Sequence, residues 1–176
     1  MPKNEELAEK YAEQLIKDIG GDDFNPSNLP KQDETELQAA ARRAKITEAR
    51  ADISDMSGLD KAKMFENIKK MALLPKAKKI GACGELAAYA FLFFAEKSAT
   101  FGTVKIVQAP NTKKKDDYHA FVQLGSGEDI LIVDLWMEYA TTGWGSVFTP
   151  DQHAEAMGET NAPYDLTKST VLYPPE

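Results

Sequence analysis

Cys83 is the only cysteine in the chain, and it stands in the string Lys79-Ile80-Gly81-Ala82-Cys83-Gly84-Glu85-Leu86. Two glycines bracket it, and an apolar run, Leu86 to Ala95, begins three residues later. A thiol at the start of a helix feels the positive end of the helix dipole, which favours the reactive thiolate. Further along come His119 and Asp134, each within a segment that reads as a strand. In chain order the three spell Cys, His, Asp. That is a nucleophile, a base that holds its proton, and a carboxylate that orients the base.

Read alone, Cys83 is equally compatible with a small buried hydrophobe. The strands around His119 and Asp134 tip the reading towards catalysis. The first strand is Tyr118-His119-Ala120-Phe121-Val122-Gln123-Leu124 and the second Asp129-Ile130-Leu131-Ile132-Val133-Asp134-Leu135-Trp136. Between them lies the loop Gly125-Ser126-Gly127-Glu128, with glycines suited to a tight reversal. If Leu124 pairs with Asp129, His119 falls directly opposite Asp134, with Cβ atoms about 5 Å apart on one face. A carboxylate following Ile130-Leu131-Ile132-Val133 is costly to bury unpaired, and His119 is its best-placed partner.

The elements that must position these residues follow from periodicity. Spacing of four between Leu7, Tyr11, Leu15 and Ile19 predicts a helix over 4–19, closed by Gly20-Gly21. A breaker-rich loop spans 21–33, and an alanine- and charge-rich helix follows over about 34–52. A third helix, about 59–73, carries Met64, Ile68 and Met71 on one side and should stop before Pro75, leaving Lys76–Lys79 as a basic connector. A fourth, beginning at Cys83 or Gly84 and reaching about Lys97, is apolar almost all round and so should be buried. Strands are expected over 103–109, 118–124, 129–135 and 170–173, with a short helix near 150–157. Helices first and antiparallel strands after is an α+β arrangement. The chain is expected to form one compact unit, with residues 1–75 a helical N-terminal region packed on a catalytic core over 76–176.

Several other residues have plainer readings. His153, in Asp151-Gln152-His153-Ala154-Glu155, reads as a surface helix residue. Glu85 reads as a first-turn acid favouring the dipole. Trp136 and Trp144 read as core or cleft wall, with Trp144, between two glycines, the better candidate to face a substrate. Lys113-Lys114-Lys115 reads as a solvated loop or a lip of the cleft. One cysteine and two histidines offer few ligands, so no metal centre and no cofactor is expected.

Composition narrows the partners. The chain has 176 residues, 28 acidic against 21 basic, and a net charge of −7. That balance argues against nonspecific nucleic-acid binding and against an anionic membrane surface. A single cysteine permits no internal disulfide and suits a reducing compartment. The polar N-terminus, Met1-Pro2-Lys3-Asn4-Glu5-Glu6, has no apolar stretch of the signal-peptide kind, and the longest apolar run, about ten residues, is too short to span a bilayer.

The strings Gly81-Ala82-Cys83-Gly84-Glu85, His119-Ala120-Phe121-Val122 and Val133-Asp134-Leu135-Trp136 resemble the papain-like and transglutaminase-like cysteine enzymes found among secreted bacterial effectors. The resemblance covers residues 79 to 137. It implies a buried central helix with Cys83 at its N-terminus, packed on an antiparallel sheet that carries His119 and Asp134. It also implies a thiol hydrolase acting on an amide of a protein, as a cysteine protease or a glutamine deamidase. Members often carry Asn where Ala82 stands and Pro where Leu135 stands, and papain-like proteases carry a Gln a few residues before the cysteine. Here no Gln lies between Gln38 and Cys83, which leaves the second oxyanion donor unassigned and tilts the reading towards side-chain amide chemistry. Acyl transfer of the transglutaminase type and a non-catalytic binding or inhibitor protein on the same fold are the alternatives. A monomer in a reducing cytoplasm, the host's if the protein is secreted, is the corresponding expectation.

Overall fold

A computed structural model describes residues 4–29, 33–53, 55–56 and 58–175. Residues 30–32 of the breaker-rich loop lie outside them. Among the described residues seven α-helices and five strands follow in the order α1 (Glu5–Asp18), α2 (Glu36–Ala49), α3 (Lys61–Lys78), α4 (Cys83–Ala95), α5 (Ser98–Phe101), β1 (Val104–Pro110), β2 (Tyr118–Leu124), β3 (Leu131–Val133), α6 (Met137–Ala140), β4 (Val147–Phe148), α7 (Pro150–Thr160) and β5 (Thr170–Tyr173). The strands make one antiparallel sheet in the order β4-β3-β2-β1-β5. The α+β class is therefore as expected. Among the described residues no helix is long and apolar enough to cross a membrane.

Helix α4 is the centre of the fold. Leu86, Ala87, Ala88, Ala90, Phe91 and Phe94 are all buried, as a helix apolar on every side requires. It packs on β1 and β2 on one side and on α3 on the other. Helix α1 lies against β3 and β4. Its buried stripe is Ala8, Ala12, Leu15 and Ile19, while Leu7 and Tyr11 sit half-buried at its flank. The Tyr11 ring meets Phe93, Phe94 and Phe101 edge to face, at centroid distances of 5.2 to 6.2 Å.

Three expectations need correction. Helix α3 runs through Pro75 to Lys78. The ring removes one N–H donor, but Pro75 is buried in contact range of Gly81, and the helix ends only where Lys79 turns left-handed, at φ 54°. The second strand of the hairpin keeps three residues, Leu131–Val133, instead of seven. The turn before it is longer than four residues because Gly127–Asp129 forms a 3₁₀ turn. As a result Leu124 pairs with Leu131, not Asp129. The register is thus displaced by two residues, an even number, which leaves every side chain on its expected face. Strand β4, which the sequence reading lacked, completes the sheet: Asp134 donates its backbone N–H to Ser146 (2.8 Å) just before β4 begins.

Candidate active site

Cys83 is the first residue of α4. Ala82, the extended residue before it, has no side-chain acceptor, and the carboxylate of Glu85 instead reaches back to accept the Ala82 N–H at 3.0 Å. Gly81 is needed for this approach. A Cβ there would come within 2.9 Å of the Glu85 Cβ and 3.4 Å of the Pro75 ring. Glu85 is almost fully buried, and its charge is met by Arg50, the residue that ends α2, through a two-pronged ion pair whose second contact, Nη2 to Oε2, is 2.7 Å. Glu85 is therefore more than a first-turn acid. It ties α2 to the start of the cysteine helix.

His119, the second residue of β2, pairs with Ala109 of β1 and is fully buried. Its Nε2 lies 2.6 Å from Asp134 Oδ2. Direct opposition does not bring the two together, since Asp134 stands one residue past β3. The even displacement keeps them on one face at a diagonal, which a histidine is long enough to cross. A second ring reaches the same oxygen: His153 Nε2, from α7, lies 2.8 Å from Oδ2. His153 is buried, not a surface residue. Its ring packs on Phe121 (4.6 Å) and Phe148 (5.5 Å). The signal was present in the spacing: His153, Ala156 and Met157 form one buried stripe of α7, and a stripe that short needs its histidine inside.

The three ligand-capable groups His119, Asp134 and His153 lie within 4.8 Å of one another. A tetrahedral ion with bonds of about 2.1 Å holds its ligand atoms about 3.4 Å apart. The separations of 2.6 and 2.8 Å are shorter than that and are those of direct hydrogen bonds to a carboxylate.

The electrostatics separate the members. Burial alone would push the His119 pKa down. The charge of Asp134 and its hydrogen bond outweigh that, the Cys83 thiol adds in the same direction, and the ring is pushed up to about 10. Asp134 is likewise opposed by burial but held below the usual carboxylate range by His119 and then His153. At neutral pH His119 is imidazolium and Asp134 carboxylate. His119 Nδ1 and Asp134 Oδ1 are buried with no hydrogen-bond partner among the described residues. The Cys83 sulfur lies 3.7 Å from the carbonyl oxygen of Tyr118, the residue before His119. The thiol and the imidazole are electrostatic neighbours, and Nδ1 is the ring nitrogen that Asp134 leaves open.

Around them, the His119 ring contacts Trp136 at 4.9 Å and Tyr164 at 5.4 Å. Tyr164 donates to Asp117 Oδ2 (3.0 Å), which also accepts from Asn111 Nδ2 (2.7 Å). Burial and Asp117 raise the Tyr164 phenol above its usual range, so it stays neutral. Trp136 is the aromatic beside the histidine. Trp144 is bonded through its indole N–H to Glu159 and lines a different cavity, about 380 Å³, between α1 and the 143–147 segment. Lys113 and Lys114 donate backbone N–H groups to Asn111 Oδ1, and all three lysines of that loop are exposed. None of the protein-family models, curated proteins or solved structures compared with this chain matches it.

Proposed function

We propose that the chain is a papain-like thiol hydrolase acting on an amide of a protein substrate, either a peptide bond or a glutamine side chain. The observation that carries this reading is the orientation of His119: Nε2 is taken by Asp134, and Nδ1 is left open beside the only thiol. The thiolate of Cys83 attacks the carbonyl carbon while His119 holds the thiol proton on Nδ1. The carbonyl oxygen becomes an oxyanion facing the backbone N–H of Cys83 at the helix start. The tetrahedral species collapses, the C–N bond breaks, and His119 passes its proton to the leaving nitrogen. A water then attacks the thioester, with His119 taking its proton, and the acid and free thiol are restored. Asp134 holds the ring in place and stabilises its charged form. If an amine replaces the water, the same acyl-enzyme gives transglutamination.

The test is the alkylation rate of Cys83 by iodoacetamide at pH 7. The enzyme reading expects it to exceed that of free cysteine and to fall to that level in His119→Ala. Equal rates in wild type and variant would assign the fold to a binding protein.

A further inference from the structure

Trp136, the aromatic against the His119 ring, donates its indole N–H to Asn28 Oδ1 at 2.9 Å. Asn28 is 108 residues earlier in the chain. It belongs to the loop 24–29, which is fastened on two sides. Ser27 donates both its backbone N–H and its hydroxyl to the carbonyl of Gly81, at 2.7 and 2.9 Å. Arg42 of α2 donates to the carbonyls of Pro26 and Leu29, at 3.0 and 2.8 Å. Asn28 is therefore held between the backbone that leads into Cys83 and the indole beside His119. It is itself exposed. An indole N–H is a donor only, so it must face the amide oxygen of Asn28. That fixes the orientation of the carboxamide and leaves its NH₂ group, two donors, on the side away from the indole.

We infer that Asn28 Nδ2 is the second donor to the oxyanion formed when Cys83 attacks a carbonyl, the backbone N–H of Cys83 being the first. This deepens the hydrolase reading and rests on it. It also accounts for the absence of a glutamine in the few residues before the cysteine, since the donor comes from a distant loop fastened to Gly81. Preorganised donors of this kind act on the charge that develops in the transition state and not on the ground state.

The experiment separates the two readings with two probes. Iodoacetamide reacts at sulfur by displacement of iodide, and no carbonyl oxyanion forms. p-Nitrophenyl acetate is attacked at its carbonyl: a C–S bond forms, the tetrahedral oxyanion collapses, and p-nitrophenolate leaves in a burst equal to the enzyme. Asn28→Ala is expected to slow the burst about 10²-fold with the alkylation rate unchanged. Asn28→Asp keeps the acceptor for Trp136 but exchanges the donors for a carboxylate. It should slow the burst at least as much, whereas a residue that merely braces Trp136 would tolerate that change. A wild-type burst and fast alkylation that both survive in Asn28→Asp overturn the Asn28 assignment alone. A wild-type protein with neither overturns the hydrolase reading first.

Discussion

Two histidines grip one oxygen of Asp134, and they come from opposite regions of the molecule. His119 is the second residue of the central strand β2, with the cysteine helix next to it. His153 comes from α7 and is walled in by Phe121 and Phe148. Their bonds to Oδ2 are nearly equal, 2.6 and 2.8 Å, and both rings are buried. They differ in what surrounds the rest of the ring. His119 keeps Nδ1 open and feels the Cys83 thiol. His153 is packed among apolar rings and has Asp134 as its hydrogen-bond partner. Equal hydrogen bonds therefore do not mean equal roles. On the hydrolase reading proposed above, His119 carries the proton and His153 holds the carboxylate that orients it.

Substitutions at the three positions should split along that line. If the chain is the proposed amide hydrolase, His119→Ala removes its proton carrier and is expected to lower amide hydrolysis by about 10⁴-fold or more. Asp134→Asn keeps the shape but loses the charge that favours imidazolium, and should cost about 10³-fold in turnover with the fold retained. Full activity in that variant, measured by single-turnover acylation, would remove Asp134 from the mechanism. His153→Ala should cost only about tenfold in turnover, because His119 still holds Oδ2. Its larger effect should be on stability, about 2–4 kcal/mol by urea denaturation, from the cavity left and the donor lost to a buried carboxylate. If His153→Ala instead abolishes turnover while the fold stays stable, the division of roles is wrong.

pH sharpens the same comparison. The folded pKa of His119 is raised above its unfolded value near 6.5, so its contribution to stability is full below about pH 6.5 and is lost as pH rises through about 10. Asp134 is lowered, so its contribution is full above its unfolded value of about 3.9 and is lost as pH falls further. The advantage of wild type over His119→Ala in unfolding free energy should therefore be greatest between about pH 4.5 and 6.5 and shrink towards pH 10. A flat difference across that range would mean that the imidazolium–carboxylate pair does not form in the folded state.

Much of this was readable in the chain where one local rule decided the outcome. Cys83 begins a helix because a glycine-bracketed extended segment meets an apolar run, and β2 has the predicted bounds because alternation and breakers agree. The face shared by His119 and Asp134 survived a wrong register because the error was even. What was not legible depended on long-range partners. Pro75 stays helical because its ring is buried near Gly81. His153 turns inward because Asp134 awaits it. The role of the loop 24–29 depends on hydrogen bonds to Gly81 and Trp136, far away in sequence. Glycine and charge patterns carry no information about such partners.

Helix α2 shows the weakest hold in the molecule and gives the smallest expected effect. Thr35 and Gln38 form a full capping box at its start, yet Ile46 is its only buried residue, and Leu37 is 82% exposed. Local signals make it a helix, and ionic contacts at Arg42 and Arg50 fasten it. Arg50→Ala removes one of these and leaves Glu85 buried with the Ala82 N–H as its remaining partner. Breaking a fully buried pair costs about 3–5 kcal/mol. The Arg50 side chain is 43% exposed, and Glu85 keeps the favourable helix N-terminus, so a loss of about 1–2 kcal/mol is expected after allowing for solvent screening. The wild-type margin over the variant should narrow in 0.5 M salt, because an exposed guanidinium is screened. Amide hydrogens of α2 should exchange far faster than those of α4, since few buried apolar contacts hold them. If the two helices exchange at the same rate, α2 is held by more than its ionic ends.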